Sequence, residues 1–219
     1  IVIMDDDTVS ESNIGRQLFS PSDIGRFKTD VLIERINRFF GLNWESIPER
    51  FNKKIWGNIL ITCVDNMDSR IEILKEFRDY LKKTNRYDNT SLYYWMDFGN
   101  ANKIGQVVLG SIDIPQQGLK DSNGLLPTIF DLFPSFATQV PEDNTPSCSV
   151  AASLEKQDLF VNSILAQLGC DIIWKLLKDQ VIDFHGVFMN LETMNVKPIN
   201  VKNGTINKTF NKQQSRRNS

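Results

Sequence analysis

Asp5, Asp6 and Asp7 stand directly behind Ile1-Val2-Ile3-Met4, a run apolar enough to read as a short strand. Three consecutive carboxylates repel one another and are costly to bury, so they call for a cationic or polyhydroxyl partner. Arg16 and Lys28 follow in the same stretch, with Ser12 and Asn13 as nearby hydrogen-bond donors. A guanidinium grips phosphate oxygens with a bidentate fork, and an ammonium meets them as a point charge. An acid at a strand end, as Asp5 is, can accept the hydroxyls of a ribose. Asp65 closes a second apolar run, Ile59 to Val64, and ligands of open α/β sheets bind at such strand ends. Its carboxylate suits a hard cation such as magnesium. Singly, each of these groups reads as part of a solvated ion network. Together they match a site in which charge builds on phosphoryl oxygens and is met by fixed cations and a metal-holding acid.

Positioning such groups requires a frame, and the hydrophobic periodicity supplies one. After Ile1–Met4, the segment from Lys28 to Phe40 carries Val31, Leu32, Ile36 and Phe39/Phe40 at helical spacing, with Gly41 as a stop. A short strand is expected around Ser46 to Pro48. Residues 58–66 read as a buried strand with the continuous apolar character of a parallel strand covered on both faces. An amphipathic helix follows, capped by Asp68 or Ser69. "SLYYWMDFGN" and "KIGQVVLGSIDI" are two further strands, the first ending at Asp97-Phe98-Gly99. Residues 115–147 have no stable period and read as a long crossing loop, a feature that usually carries function. Leu159 to about Lys178 is a strongly apolar helix, and residues 186–201 alternate like a closing hairpin that turns near Glu192 to Asn195. The expected class is α/β: a Rossmann-like, mainly parallel sheet flanked by helices, with a C-terminal antiparallel extension. Residues 1–201 form the expected domain, and the polar, basic residues 202–219 a disordered tail.

Composition narrows the function. With 219 residues, 41% of them hydrophobic, the chain can bury a substantial core. A net charge of −2 gives no electrostatic reason to expect nucleic-acid or membrane binding. Cys63, Cys148 and Cys170 are an odd count without paired spacing, which points to a reducing, cytoplasmic setting. No C-x-x-C is present, so no structural zinc is expected. Cys63 and Cys170 read as core residues, and the single histidine, His185, as structural rather than catalytic. Cys148 lies in the long loop ahead of a helix, where backbone N–H groups could favour its thiolate; a small buried hydrophobe is the competing reading.

Three motifs carry a family resemblance: D-x-D-T-V-S-x-S-N-x-x-R-Q-L-F from Asp5, D-I-G-x-x-K from Asp23, and C-V-D-N-x-x-x-R from Cys63. They resemble the ThiF/MoeB/ubiquitin-activating superfamily, and "SESNIGRQLF", "RINRFFGLNW" and "SLEKQDLFVN" are similar to the ThiF-like proteins of PRTRC gene clusters. The resemblance implies ATP- and magnesium-dependent adenylation of the C-terminal carboxylate of a small ubiquitin-like protein ending in glycine. It gives Asp5 the ribose, Arg16 and Lys28 the phosphates, and Ser12, Asn13 and Gln17 a supporting place around the nucleotide. Asp65 becomes the metal-linked catalytic acid, with Arg70 pairing acids beside it. Cys148 becomes the acceptor of the activated acyl group, and a homodimer is implied. The family's first strand and glycine-rich phosphate loop would precede Ile1, so the natural sequence is expected to continue upstream. Two other classes fit less of the pattern. One is a nucleotide-binding scaffold that docks a partner without activating it; the other is an NAD-dependent oxidoreductase using the same ribose acid.

Overall fold

The computed structural model describes residues 1–14, 17–51, 57–83, 92–112, 126–134 and 159–201. The chain divides into two compact units, Ile1–Ile55 with Asp143–Leu159, and Trp56–Glu142 with Phe160–Ser219.

Each unit opens on a strand–helix–strand step. In the first, β1 (Val2–Met4) leads through two 3-10 turns, Glu11–Asn13 and Pro21–Asp23, into α1 (Lys28–Phe40) and then β2 (Glu45–Ile47). β1 and β2 pair in parallel, Val2 opposite Glu45 and Met4 opposite Ile47. Val31 and Ile33 are buried on α1, and Gly41 ends the helix at φ 66°, a left-handed conformation that costs glycine least. Its N–H closes on the Asn37 carbonyl. Both 3-10 turns are tied by capping boxes, Ser10 with Asn13 and Ser20 with Asp23.

In the second unit, β3 (Ile59–Thr62), α2 (Met67–Lys83) and β4 (Tyr94–Asn100) make the step, with β3 and β4 parallel from Ile59–Tyr94 to Thr62–Asp97. β5 (Ile104–Ser111), β6 (Phe184–Asn190) and β7 (Asn195–Asn200) then add antiparallel, giving a sheet of order β3-β4-β5-β6-β7. The long helix α4 (Val161–Asp179) buries Val161, Leu165, Gly169, Ile172 and Leu176, a stripe of helical period. Ile172 and Leu176 pack with Tyr94, Met96, Val107, Leu109 and Val187 of the sheet. Fully burying a side chain of this size contributes about 1.5–3 kcal/mol.

The expected α/β class is present, with one parallel step in each of two sheets and a C-terminal antiparallel extension, so that among the described residues the ladders are mixed rather than mainly parallel. That extension supplies three of the four ladders of the five-stranded sheet. Four local expectations change. Among the described residues β3 pairs with β4 alone and Ile61 is 50% exposed, so the expected cover on both faces is not seen there. Asn66, rather than Asp68 or Ser69, caps α2, because its Oδ1 accepts the Ser69 N–H at 2.8 Å. Inside the stretch read as a crossing loop, a short helix α3 (Ile129–Leu132) forms, capped by Thr128 and anchored by buried Ile129 and Phe130. Finally, Cys63 and Cys170 are exposed rather than core. Cys63 lies just past the end of β3, and Cys170 one residue off the buried stripe of α4.

Candidate functional site

In the second unit, the chain leaves β3 through Cys63, Val64, Asp65 and Asn66 before entering α2. The Asp65 side chain is exposed, and its Oδ1 accepts the Asn66 Nδ2 at 2.8 Å. Asn66 is fixed in turn as the helix cap. Beneath this exit lies Arg70, 6% exposed. Its Nε donates to both oxygens of Asp97, at 3.1 and 3.0 Å. One terminal nitrogen donates to the Asn66 carbonyl at 3.2 Å, the other to the Val64 and Phe98 carbonyls at 2.6 Å each. The Thr62 hydroxyl donates to Asp97 at 2.7 Å and accepts the Trp95 indole N–H at 2.8 Å. Burial pushes the Asp97 carboxyl up, while Arg70 and the Thr62 hydrogen bond pull it back. The single Nε–H is shared between the two carboxylate oxygens, a charge-assisted three-centre contact that leaves both terminal nitrogens for backbone carbonyls.

Cys63 stands beside this pair. Desolvation of its sulfur, and then the Asp97 carboxylate, push the thiol up to about 11, so at neutral pH it is a thiol and a poor nucleophile. His185 is 1% exposed, with Nδ1 2.9 Å from the Leu109 carbonyl, and burial pushes its pKa down. A neutral ring donating from Nδ1 inside the sheet has the structural role expected of it.

In the first unit the acids after β1 meet their cation. The Lys28 ammonium lies 2.6 Å from Asp7 Oδ2, and the Lys28 N–H donates to the Asp7 carbonyl at 2.9 Å. Asp5 is half-buried and accepts the Asp7 N–H on Oδ1 at 2.8 Å; burial, first among its influences, raises its pKa. Carboxylate oxygens of Asp5, Asp6 and Asp7 lie within 4.8 Å of one another. Asn13 is buried, its Oδ1 taking the Ser10 N–H at 2.9 Å, while its carbonyl accepts the Gln17 N–H at 3.0 Å. Ser12 Oγ lies 2.9 Å from Ser10 Oγ in the same turn. Arg35 braces the following turn, donating to the Leu18 carbonyl and to Asp23, whose carboxylate is held down to about 2, first by the Ser20 N–H.

These details fit one description. The ThiF family matches residues 1–204. The chain belongs to the ThiF family. None of the curated proteins matches it. Among solved structures, the E. coli MccB structure with ATP is similar at 14% identity and TM-score 0.54, covering 94% of this chain and 58% of that one. E. coli MccB alone aligns at 16% identity and TM-score 0.55, over 91% and 54% of the two chains. E. coli MccB with selenomethionine MccA aligns at 15% identity and TM-score 0.55, over 91% and 56%. At such identities the likeness is one of fold, and this chain spans a little over half the length of those relatives.

The structure thus places Asp5, Ser12, Asn13, Gln17 and Lys28 of this ThiF-family chain in the first unit and Asp65 in the second. Within the first unit it joins Lys28 to the acidic run and gathers Ser12, Asn13 and Gln17 around one turn. Arg16, Cys148, the tail after Val201 and most of residues 115–147 lie outside the described residues. The sequence reading gave Arg70 an acid to pair but did not identify it. The signal was an acid, Asp97, in the otherwise apolar run "LYYWMDF". A buried strand carries a carboxylate only where a charge meets it. Among the described residues no helix is long and apolar enough to cross a membrane.

Proposed function

We propose that the protein adenylates the C-terminal carboxylate of a small ubiquitin-like protein ending in glycine. A carboxylate oxygen bonds to the α-phosphorus of ATP, the bond from that phosphorus to the α,β-bridging oxygen breaks, and pyrophosphate leaves with its electron pair. The observation that carries this reading is Asp65, an exposed acid braced at the exit of a parallel strand in a chain of the ThiF family. MccB, similar in fold, has been solved with ATP and with MccA, which supports a nucleotide and a polypeptide as the two substrates.

Each residue has a role in that step. Asp5 takes ribose hydroxyls, its half-buried carboxylate having one oxygen on the Asp7 N–H. Lys28 exchanges Asp7 for phosphate oxygens, and Arg16 adds a bidentate grip. Ser12, Asn13 and Gln17 hold the turn around the nucleotide. The exposed oxygens of Asp65 fit magnesium, a hard cation that prefers carboxylate. When bound, that ion supplies charge neutralisation on the phosphate oxygens. Cys148 then takes the acyl group: its thiolate bonds to the carbonyl carbon and AMP leaves, giving a thioester. The protein works as a homodimer in the cytoplasm, and its likeness to PRTRC-cluster proteins favours a partner encoded nearby.

The test is ATP–pyrophosphate exchange by the full-length protein with its ubiquitin-like partner. Label should enter ATP only when the partner keeps its C-terminal glycine. ATP binding without any exchange would refute adenylation and leave the docking scaffold. A thioester should be lost in Cys148→Ala; an adduct that persists there removes Cys148 from the scheme.

A further inference from the structure

We infer that Arg70 is the positioning residue for Asp65, acting through the backbone of the β3 exit rather than on the substrate. The structural part rests on geometry alone; the kinetic part rests on the adenylation reading.

Val64 and Asn66 are the two neighbours of Asp65 in the chain, and Arg70 holds the carbonyls of both. The same guanidinium is bound to Asp97 and to the Phe98 carbonyl on β4. The loop bearing Asp65 is therefore pinned on both sides of that residue to the adjacent strand, while the Asp65 carboxylate itself stays exposed. Asp97 cannot turn away, because Thr62 holds one of its oxygens and Trp95 holds Thr62. Gly99 leaves space shared by two side chains: a Cβ there would lie 2.7 Å from Gln106 Nε2 and 3.2 Å from an Arg70 terminal nitrogen. Reaching a carboxylate and three carbonyls in different directions uses the planar five-donor fork, which a lysine ammonium lacks. Groups that orient a reacting side chain in this way typically govern activity by about 10–100-fold, and small misplacements cost comparable factors.

The experiment compares hydrogen exchange of the full-length wild type with Arg70→Lys and Asp97→Asn, each checked for folding by its thermal transition. Thr62→Val, which removes one hydrogen bond and no charge, makes the same comparison if a charge variant does not fold. The peptide covering residues 63–67 should exchange about tenfold faster or more in the variants, with the β6–β7 hairpin unchanged. Unaltered protection of residues 63–67 in a folded variant would overturn the inference. In pyrophosphate exchange, kcat should fall about 10–100-fold while the KM for ATP stays within about twofold. A raised KM at constant kcat would instead make Arg70 a ligand-binding group and overturn its positioning role. If the wild type shows no exchange at all, the adenylation reading fails, and the hydrogen-exchange comparison still decides the clamp.

Discussion

The two units begin alike and diverge at one point. Each has a strand, a helix and a parallel strand, and each carries an acid just past its first strand, Asp5 after β1 and Asp65 after β3. Behind Asp65 the cation is buried: the side chains of Arg70 and Asp97 are 7% and 2% exposed. Behind Asp5 the pair is open on its acid side: Asp7 is 65% exposed and Lys28 18%. A buried pair cannot release its partner without stranding a charge, so it sets geometry. A wet pair gives up one anion for another at little cost, so it can serve a ligand. The same elements, cation and carboxylate, thus make a fixed support in one unit and an exchangeable contact in the other.

The largest expected effect that tests this contrast comes from Asp97→Ala. It leaves the Arg70 guanidinium buried without its acid and should destabilise the protein by about 3–5 kcal/mol in denaturant melts. A loss under about 1 kcal/mol would mean that the exit is not supported by this pair. A middle-sized effect concerns pH. The folded Asp23 is held down to about 2, below the ordinary 3.8, so the unfolded chain takes up the proton first as pH falls. Its contribution is complete above about pH 4 and is lost between there and about pH 2. Asp23→Asn should flatten that part of the stability–pH curve; an unchanged slope would place the acid sensitivity elsewhere. The smallest effect is for Asp7→Ala, which breaks only the wet pair. It should cost about 0–1 kcal/mol, and less in high salt. A loss as large as that of Asp97→Ala would erase the distinction between the two exits.

Much of this frame was legible in the sequence because periodicity reports faces. Lys28 to Phe40 gave a helix with its glycine stop, and the alternation from Gly186 onward gave the final hairpin. The acidic run was recognisable as a group awaiting a cation, and Lys28 meets it. What stayed hidden depends on tertiary partners. The exposure of Cys63 and of Ile61 on β3 could not be told from their apolar neighbours, because residue type does not report what covers a strand. The cap of α2 fell to Asn66 because a side chain two residues before Asp68 had the right reach to the Ser69 N–H. Arg70 required knowing that β4 runs beside β3 in the register that sets Asp97 opposite Thr62.

The central claim is that the braced Asp65 serves phosphoryl chemistry, and one measurement reaches it directly. Pyrophosphate exchange should be compared between the full-length wild type and Asp65→Ala, with the partner present and with thermal transitions matched. The side chain is exposed, so the variant should melt within a few degrees of wild type. Its exchange should fall at least about a hundredfold. Exchange at the wild-type rate in a variant that folds normally would contradict the account.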